Sequence, residues 1–191
     1  MGRTKPIKIY SLDTETYNGL IGKIKRIAIY DGKEITYGYN FSDTYPYIKE
    51  QSKKYRVHIY IHNMEFDARK MPELFKKGFI IWEKSFILNG KIATITTNDF
   101  ILHDSFRILP MSLSALSKGF QVTHAKLDLW AEVEKEYPNQ YKDIVDFLDR
   151  CDKDNELYLR YLGYDVISLY EIIEKLQVIS GIPLKDFVKR V

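Results

Sequence analysis

YSLDTETYNG, residues 10–19, sets two carboxylates two positions apart at the end of an apolar run. In a strand, successive side chains point to opposite faces, so Asp13 and Glu15 share a face with Ile7, Ile9 and Ser11. Both acids end a row that reads as buried. Two negative charges side by side repel, and burying them is costly unless something positive sits between them. A divalent cation meets that requirement. A frayed strand end with both acids in solvent is the competing reading, and the rest of the chain decides between them by whether it supplies further ligands.

Outward from residues 7–15, "KRIAIYDGKEITYGYNF" places Asp31-Gly32 between two alternating β-rich runs, the mark of a hairpin, and makes a three-stranded meander. Residues 44–53 suit a short helix, and "RVHIYI" (56–61) is dense enough in β-branched and aromatic residues for an interior strand. "DARKMPELFKKG" (67–78) reads as a helix ending at Gly78, with Pro72 against it. "SFILNGKIATITT" carries an Asn-Gly turn at 89 and 90 and reads as a second hairpin. "DFILHDSF" is a further strand, "SLSALSKGF" a helix, and the last third is helical. This order predicts an α/β fold, a mixed sheet flanked by helices.

The final helix, about Asn155 to Ser180, has an apolar stripe of Tyr158, Tyr161, Leu162, Leu169, Ile172, Ile173 and Leu176, and Asp165 falls inside it. An acid there faces inward. Tyr161 lies one turn earlier, and Gly163 between them leaves room for another backbone. A buried Tyr-Asp hydrogen bond that fixes packing is the competing account. A fourth acid, Asp67 in "IYIHNMEFDARK", follows the interior strand and opens the next helix, where Asp is a favoured cap.

The chain of 191 residues is long enough for one domain, and with 45% hydrophobic and 29% charged residues it reads as an ordinary globular protein. No run approaches the length that spans a bilayer and the start lacks a signal-peptide core, so an intracellular, cytoplasmic location without a membrane partner is expected. The lone Cys151 excludes an internal disulfide and a cysteine-rich zinc site and fits a reducing compartment. The formal net charge of +3 and the fifteen tyrosines and ten phenylalanines are compatible with a nucleic-acid partner. Clusters such as Lys23, Lys25 and Arg26, Lys53 and Lys54, or Lys76 and Lys77 read as solvated faces. His58, His103 and His124 have no metal-spaced partner and read as packing or surface residues. Ligands rich in carboxylate oxygen favour magnesium or manganese over zinc.

"DTE", "NMEFD" and "YLGYD", in this order, resemble the three exonuclease motifs of family B DNA polymerases, Asp-x-Glu, Asn-x-x-Phe-Asp and Tyr-x-x-x-Asp. More closely, with "HDSF" and "FQVTHAKLDL", the whole chain resembles the amino-terminal 3'-5' exonuclease domain of the protein-primed subgroup used by phages and linear plasmids. The resemblance implies a ribonuclease H-like fold with an inserted β-hairpin. It implies Asp13, Glu15, Asp67 and Asp165 as ligands of two Mg2+ or Mn2+ ions, Tyr161 orienting the attacking water, and Lys126 near the scissile phosphate. Thr16, His62, Asn63, Phe66, Ser105 and Phe106 would hold the 3' end of a single DNA strand. Phe106 stands where the family usually has leucine, and Lys70 where an aromatic is often found; Arg160 stands where histidine-type relatives carry their catalytic histidine. The activity implied is proofreading, the release of deoxynucleoside monophosphates from single-stranded or frayed DNA 3' ends. The partners implied are a polymerase domain in a parent chain, for which "SGIPLKDFVKRV" reads as a connector, and a terminal protein that primes synthesis. Two alternatives stand beside it: a freestanding exonuclease of the same fold acting on RNA or DNA, and a catalytically silent module that binds single strands.

Overall fold

The computed structural model describes residues 5–17 and 23–190. In chain order its elements are β1 (Ile7–Thr16), β2 (Ile24–Tyr30), β3 (Ile35–Gly38), α1 (Phe41–Lys54), β4 (Arg56–Ile61), α2 (Met64–Ala68), β5 (Phe86–Leu88), β6 (Lys91–Thr96) and β7 (Phe100–Asp104). The helices α3 (Leu113–Gly119), α4 (Leu129–Glu136), α5 (Ile144–Arg150), α6 (Glu156–Ser180) and α7 (Leu184–Arg190) follow. The strands form one sheet in the order β3-β2-β1-β4-β7-β6-β5. β1, β4 and β7 run parallel at its centre, and the two hairpins add antiparallel strands at either side.

Alternation along β1 decides what covers each face. Tyr10 and Leu12 turn into a core shared with Ile48 of α1, Ile59 and Ile61 of β4 and Leu102 of β7. Ile9 turns the other way, against Leu169 and Ile173 of α6 and Phe187 of α7. Each such side chain contributes roughly 1.5–3 kcal/mol by leaving water. The register is thereby fixed, because a slip of one residue would exchange the two faces. α6 begins where Asn155 caps it, accepting from the Tyr158 N–H at 3.1 Å, and ends at Gly181 with φ +63. The second hairpin turns at Asn89 (φ 50) and Gly90 (φ 72), the pair of left-handed residues that a two-residue hairpin loop demands.

The meander, the interior strand, both hairpins and the long helix follow the sequence pattern, and four details do not. The helix expected over 67–78 is instead α2 followed by a 3-10 turn, Pro72–Phe75. Pro72 lacks an N–H and forces Met71 out of helical geometry (φ −111, ψ 73), so the helix cannot run through. It starts earlier, after Asn63 in the left-handed conformation, which puts Asp67 inside the helix and not at its cap. Gly163 gives room to side chains of β3 and not to a backbone: an added Cβ would lie 2.7 Å from Tyr37 Oη, which donates to the Leu159 carbonyl. The segment read as a connector contains α7, with Phe187 and Val188 buried.

The fourth correction concerns Lys25 and Arg26, expected in solvent and found buried. In the β1–β2 register Glu15 pairs with Arg26 and Thr16 with Ile24, so Lys25 is an extra, bulged residue. The bulge aims its amine inward. Lys25 Nζ donates to the Leu148 carbonyl and, at 2.8 Å, to the Cys151 carbonyl, and lies 4.8 Å from the Tyr158 ring centroid. A cation on the last carbonyls of α5 complements the negative end of that helix. Lys25→Met should therefore lower unfolding stability by about 1.5–3 kcal/mol, the worth of hydrogen bonds to a charged group, read as a drop in the urea midpoint. An unchanged midpoint would show that the bulged amine does not hold α5.

Candidate functional site

The site grows from the odd-numbered face of β1. Ser11 Oγ donates to the Val166 carbonyl at 2.5 Å, which pins the middle of α6 across the strand and brings the neighbouring residue, Asp165, over the strand's end. There Asp13, Glu15 and Asp165 each offer a carboxylate oxygen, and the three oxygens lie within 4.8 Å of one another. They line a cleft of about 280 Å³ together with Thr14, Thr16, His62, Phe66, Asp67, Lys126 and three residues of α5, Val145, Leu148 and Asp149. Asp67 approaches from α2, and its carboxylate accepts a hydrogen bond from the Thr14 hydroxyl. It lines the same cleft without joining the close cluster of three.

Charge crowding shows in the acidities. Burial first, then Asp67, Asp165 and Glu15, push the Asp13 carboxyl well above the usual carboxylate range. Burial and Asp165 raise Glu15 to about 7, against an opposing pull from Lys126. Burial raises Asp67 to about 7 although Thr14 and Lys70 favour its ionised form. Burial also raises Asp165, opposed by Lys126, whose Nζ lies 2.6 Å from Asp165 Oδ2. The other oxygen, Asp165 Oδ1, is buried and has no hydrogen-bond partner among the described residues. Oxygen-only donors, mutual repulsion and an orphaned buried carboxylate oxygen together fit a hard divalent cation.

Lys126 lies in a stretch without regular structure between α3 and α4, and α6 holds that stretch. Glu171 Oε2 accepts from the backbone N–H groups of Thr123 (2.7 Å) and His124 (3.2 Å), and its Oε1 meets His124 Nδ1 at 2.6 Å. Two residues on, Lys126 Nζ sits 4.9 Å from the Tyr161 ring centroid. Burial alone would lower the Lys126 amine, but Asp165 and Tyr161 raise it, so it stays charged. Burial and Asp165 raise the Tyr161 phenol, so it keeps its proton.

Of the residues expected to grip a strand, Thr16, His62 and Phe66 line the cleft. The other three, Asn63, Ser105 and Phe106, are not among the residues that line it. Ser105 is fully buried, its hydroxyl 3.0 Å from His62 Nδ1, while His62 Nε2 lies 2.9 Å from the Met111 carbonyl. Burial lowers this histidine's pKa from its ordinary value, which favours the neutral ring with Nε2 donating to the Met111 carbonyl. Asn63 has its N–H on Asp104 Oδ1 at 3.1 Å, and Phe106 meets the His62 ring edge-on at 5.5 Å. Lys70 places its Nζ 3.3 Å from the Phe66 ring centroid. His58 and His103 are buried and bonded to each other at 2.8 Å, and burial lowers His58 to about 3, which agrees with a packing role.

Sequence reasoning missed Thr14, Lys25, Asp149 and Glu171. Thr14 had a signal, a hydroxyl between two clustered acids. Asp149 and Glu171 had none, because long-range packing alone brings them to the cleft and to the Lys126 stretch.

No curated protein sequence matches the chain. Among solved structures, phi29 DNA polymerase complexed with single-stranded DNA matches with a TM-score of 0.65 at 16% identity, covering 93% of this chain and 32% of that one. The same polymerase complexed with primer-template DNA, and in an orthorhombic crystal form, each match with a TM-score of 0.61 at 18% identity, covering 92% of this chain and 32% of theirs. The chain thus spans about a third of the length of the polymerases whose fold it shares, and the expected mixed sheet flanked by helices is borne out. A family profile described as DNA polymerase type B, organellar and viral, matches residues 48–181, and the chain belongs to that family.

Proposed function

We propose that the chain is the 3'-5' exonuclease domain of a protein-primed DNA polymerase, removing deoxynucleoside monophosphates from single-stranded DNA 3' ends during proofreading. The observation that carries the reading is the convergence of Asp13, Glu15 and Asp165 within 4.8 Å, with Asp67 in the same cleft. The polymerase domain and any terminal protein would lie outside this chain. Asp13, Glu15, Asp67 and Asp165 would hold two magnesium or manganese ions, which supply a nucleophilic water near neutral pH and relieve charge on the leaving oxygen. The chain's own groups do the rest. Phe66 offers a ring to a terminal base and Thr16 a hydroxyl to the strand, both on the cleft wall. Lys126, held charged beside Asp165, can meet negative charge as it develops on the phosphate. Tyr161, kept protonated, can donate a hydrogen bond to the attacking water.

The direct test is digestion of a 3'-labelled single strand in magnesium, manganese, calcium or chelator, with an RNA strand of the same sequence beside it. Activity is expected with magnesium or manganese and lost with chelator. Asp13→Ala, Glu15→Ala and Asp165→Ala should each remove nearly all of it in a folded protein. Residual activity within about tenfold of the parent, equal to about 1.4 kcal/mol of barrier, would contradict the two-ion assignment.

Acidity gives a second test. Glu15 and Asp67 have folded-state values raised to about 7 from 4.5 and 3.8, so the folded chain holds more protons than the unfolded one between those limits. The stability they allow is fully present below the unfolded values and is lost as pH rises through about 7. The melting temperature of the metal-free protein should accordingly fall from pH 5 to pH 8, and magnesium should restore it at pH 8. A flat profile, unaffected by magnesium, would overturn the crowded-carboxylate account.

Lys126→Ala should cost about 10²- to 10³-fold in single-turnover rate, the typical worth of one well-placed donor, and little in affinity measured in calcium. Glu171→Ala should slow the rate by letting the Thr123–Lys126 stretch move, and should add nothing once Lys126 is already alanine. Additive losses would show that Glu171 does not act through Lys126.

A further inference from the structure

We infer a second nucleic-acid site, a basic groove that takes the phosphate backbone of single-stranded DNA upstream of the 3' end. Two adjoining cavities, of about 590 and 510 Å³, share Arg56, Lys84, Thr96, Ile101 and Lys189 in their walls. Together they form one groove from the start of β7, at Phe100, along its Ile101 and His103 side to Asp104 and Arg107. Six cations line it from separate parts of the chain: Lys5 before β1, Arg56 at the start of β4, Lys84 before β5, Arg107 after β7, and Lys185 with Lys189 four apart on α7. The two acids in its walls are already engaged. Asp99 accepts from Tyr45 Oη at 2.6 Å, and Asp104 accepts from the N–H groups of Asn63 and Phe106 and pairs with Arg107 at 3.2 Å. Arg56, Lys84 and Lys185 have no carboxylate partner among the described residues.

Charge complementarity selects the occupant. The cleft itself is lined by five carboxylates, Asp13, Glu15, Asp67, Asp149 and Asp165, against a single lysine. Such a cleft repels a polyanion until metal enters it, so attraction for a strand has to come from elsewhere. The groove supplies it, and it ends at Arg107, in the turn that carries Ser105 and Phe106, both of which contact His62 of the cleft. Phe86 and Leu88, 56% and 42% exposed, stand in its wall and offer apolar faces to bases. A cationic track with exposed aromatic surface is the arrangement that binds single strands without reading sequence.

The groove follows β7 for five residues, about 17 Å at 3.3 Å each, a length that spans only a few nucleotides of a single strand. A trinucleotide in the cleft therefore does not reach along it, and a strand of about 20 nucleotides does. The test compares the parent chain with the triple variant Arg56→Ala, Lys84→Ala, Lys185→Ala, all exposed positions. The affinity of a 5'-fluorescein oligothymidylate of about 20 nucleotides, read in calcium, should fall at least tenfold. The slope of log affinity on log salt should flatten by about 2, at about 0.7 for each of three lost phosphate contacts. Shortening of a trinucleotide in magnesium should be unchanged. If the triple variant does not fold, Lys84→Glu alone should still flatten the slope. Unchanged affinity and slope, equal losses on the trinucleotide, or polyglutamate binding as tightly as the oligonucleotide would each overturn the assignment. Because affinity is read in calcium, the groove is judged whether or not the cleft cuts.

Discussion

Asp13, Glu15 and Asp165 repel one another in a place where water screens them poorly, and the surrounding structure is organised to impose that meeting. Left to themselves the three would separate or take up protons. They do not separate, because each sits on an element fixed by something else. β1 is central in the sheet, clamped between β2 and β4 and packed on both faces. α6 runs 25 residues across it with most of its inward face buried. The Ser11 to Val166 hydrogen bond sets one helix against the other strand at a single residue's remove from the acid. Burial of many apolar side chains outweighs the repulsion of three carboxylates, so the cost is stored locally as raised pKa values, each carboxyl holding its proton more tightly than in water.

The same logic places the cations. Lys126 is the one cation within hydrogen-bond reach of Asp165 among the described residues, and Glu171 fixes its irregular stretch by three hydrogen bonds. Lys25, on the bulge opposite Glu15 and Thr16, places its amine on backbone carbonyls and secures the carbonyl end of α5, whose Leu148 and Asp149 line the cleft. One lysine thus balances charge inside the site and another holds the wall around it. Exchanging their tasks would be unfavourable on both sides, since an amine on carbonyls needs no partner acid and one beside Asp165 offsets a buried anion.

Local pattern made the backbone of this arrangement legible. Period-two alternation in residues 7–15 put both acids on one face, and period-three-and-a-half spacing in α6 put Asp165 on the face that meets them. The hairpin turns were readable from Asp31-Gly32 and Asn89-Gly90, because few residues adopt positive φ at low cost. Contacts between segments distant in sequence were not readable. Lys25 looked like one member of a basic cluster until the bulge turned it inward, and Glu171 looked like any acid on a long helix. Asp67 was placed at a helix start because Asp is a favoured cap, whereas Asn63 in the left-handed conformation began that helix earlier. Propensity describes single residues and their near neighbours; these three positions are decided by pairing register and by which helix crosses which strand.

Lys70 shows how a departure from the family pattern can be absorbed. An aromatic there would offer another apolar face to the strand, and the lysine offers a charge. Its amine lies over the Phe66 ring at 3.3 Å from the centroid, so the positive group stands against the negative face of the ring that would stack on a base. One face of Phe66 is therefore occupied by a cation, and under the proposed function only the other would be open to a base. The lysine also lies close enough to Asp67 and Glu15 to favour their ionised forms. Lysine at this point lends the acidic cleft a second neighbouring cation beside Lys126, and it sets that cation against the Phe66 ring.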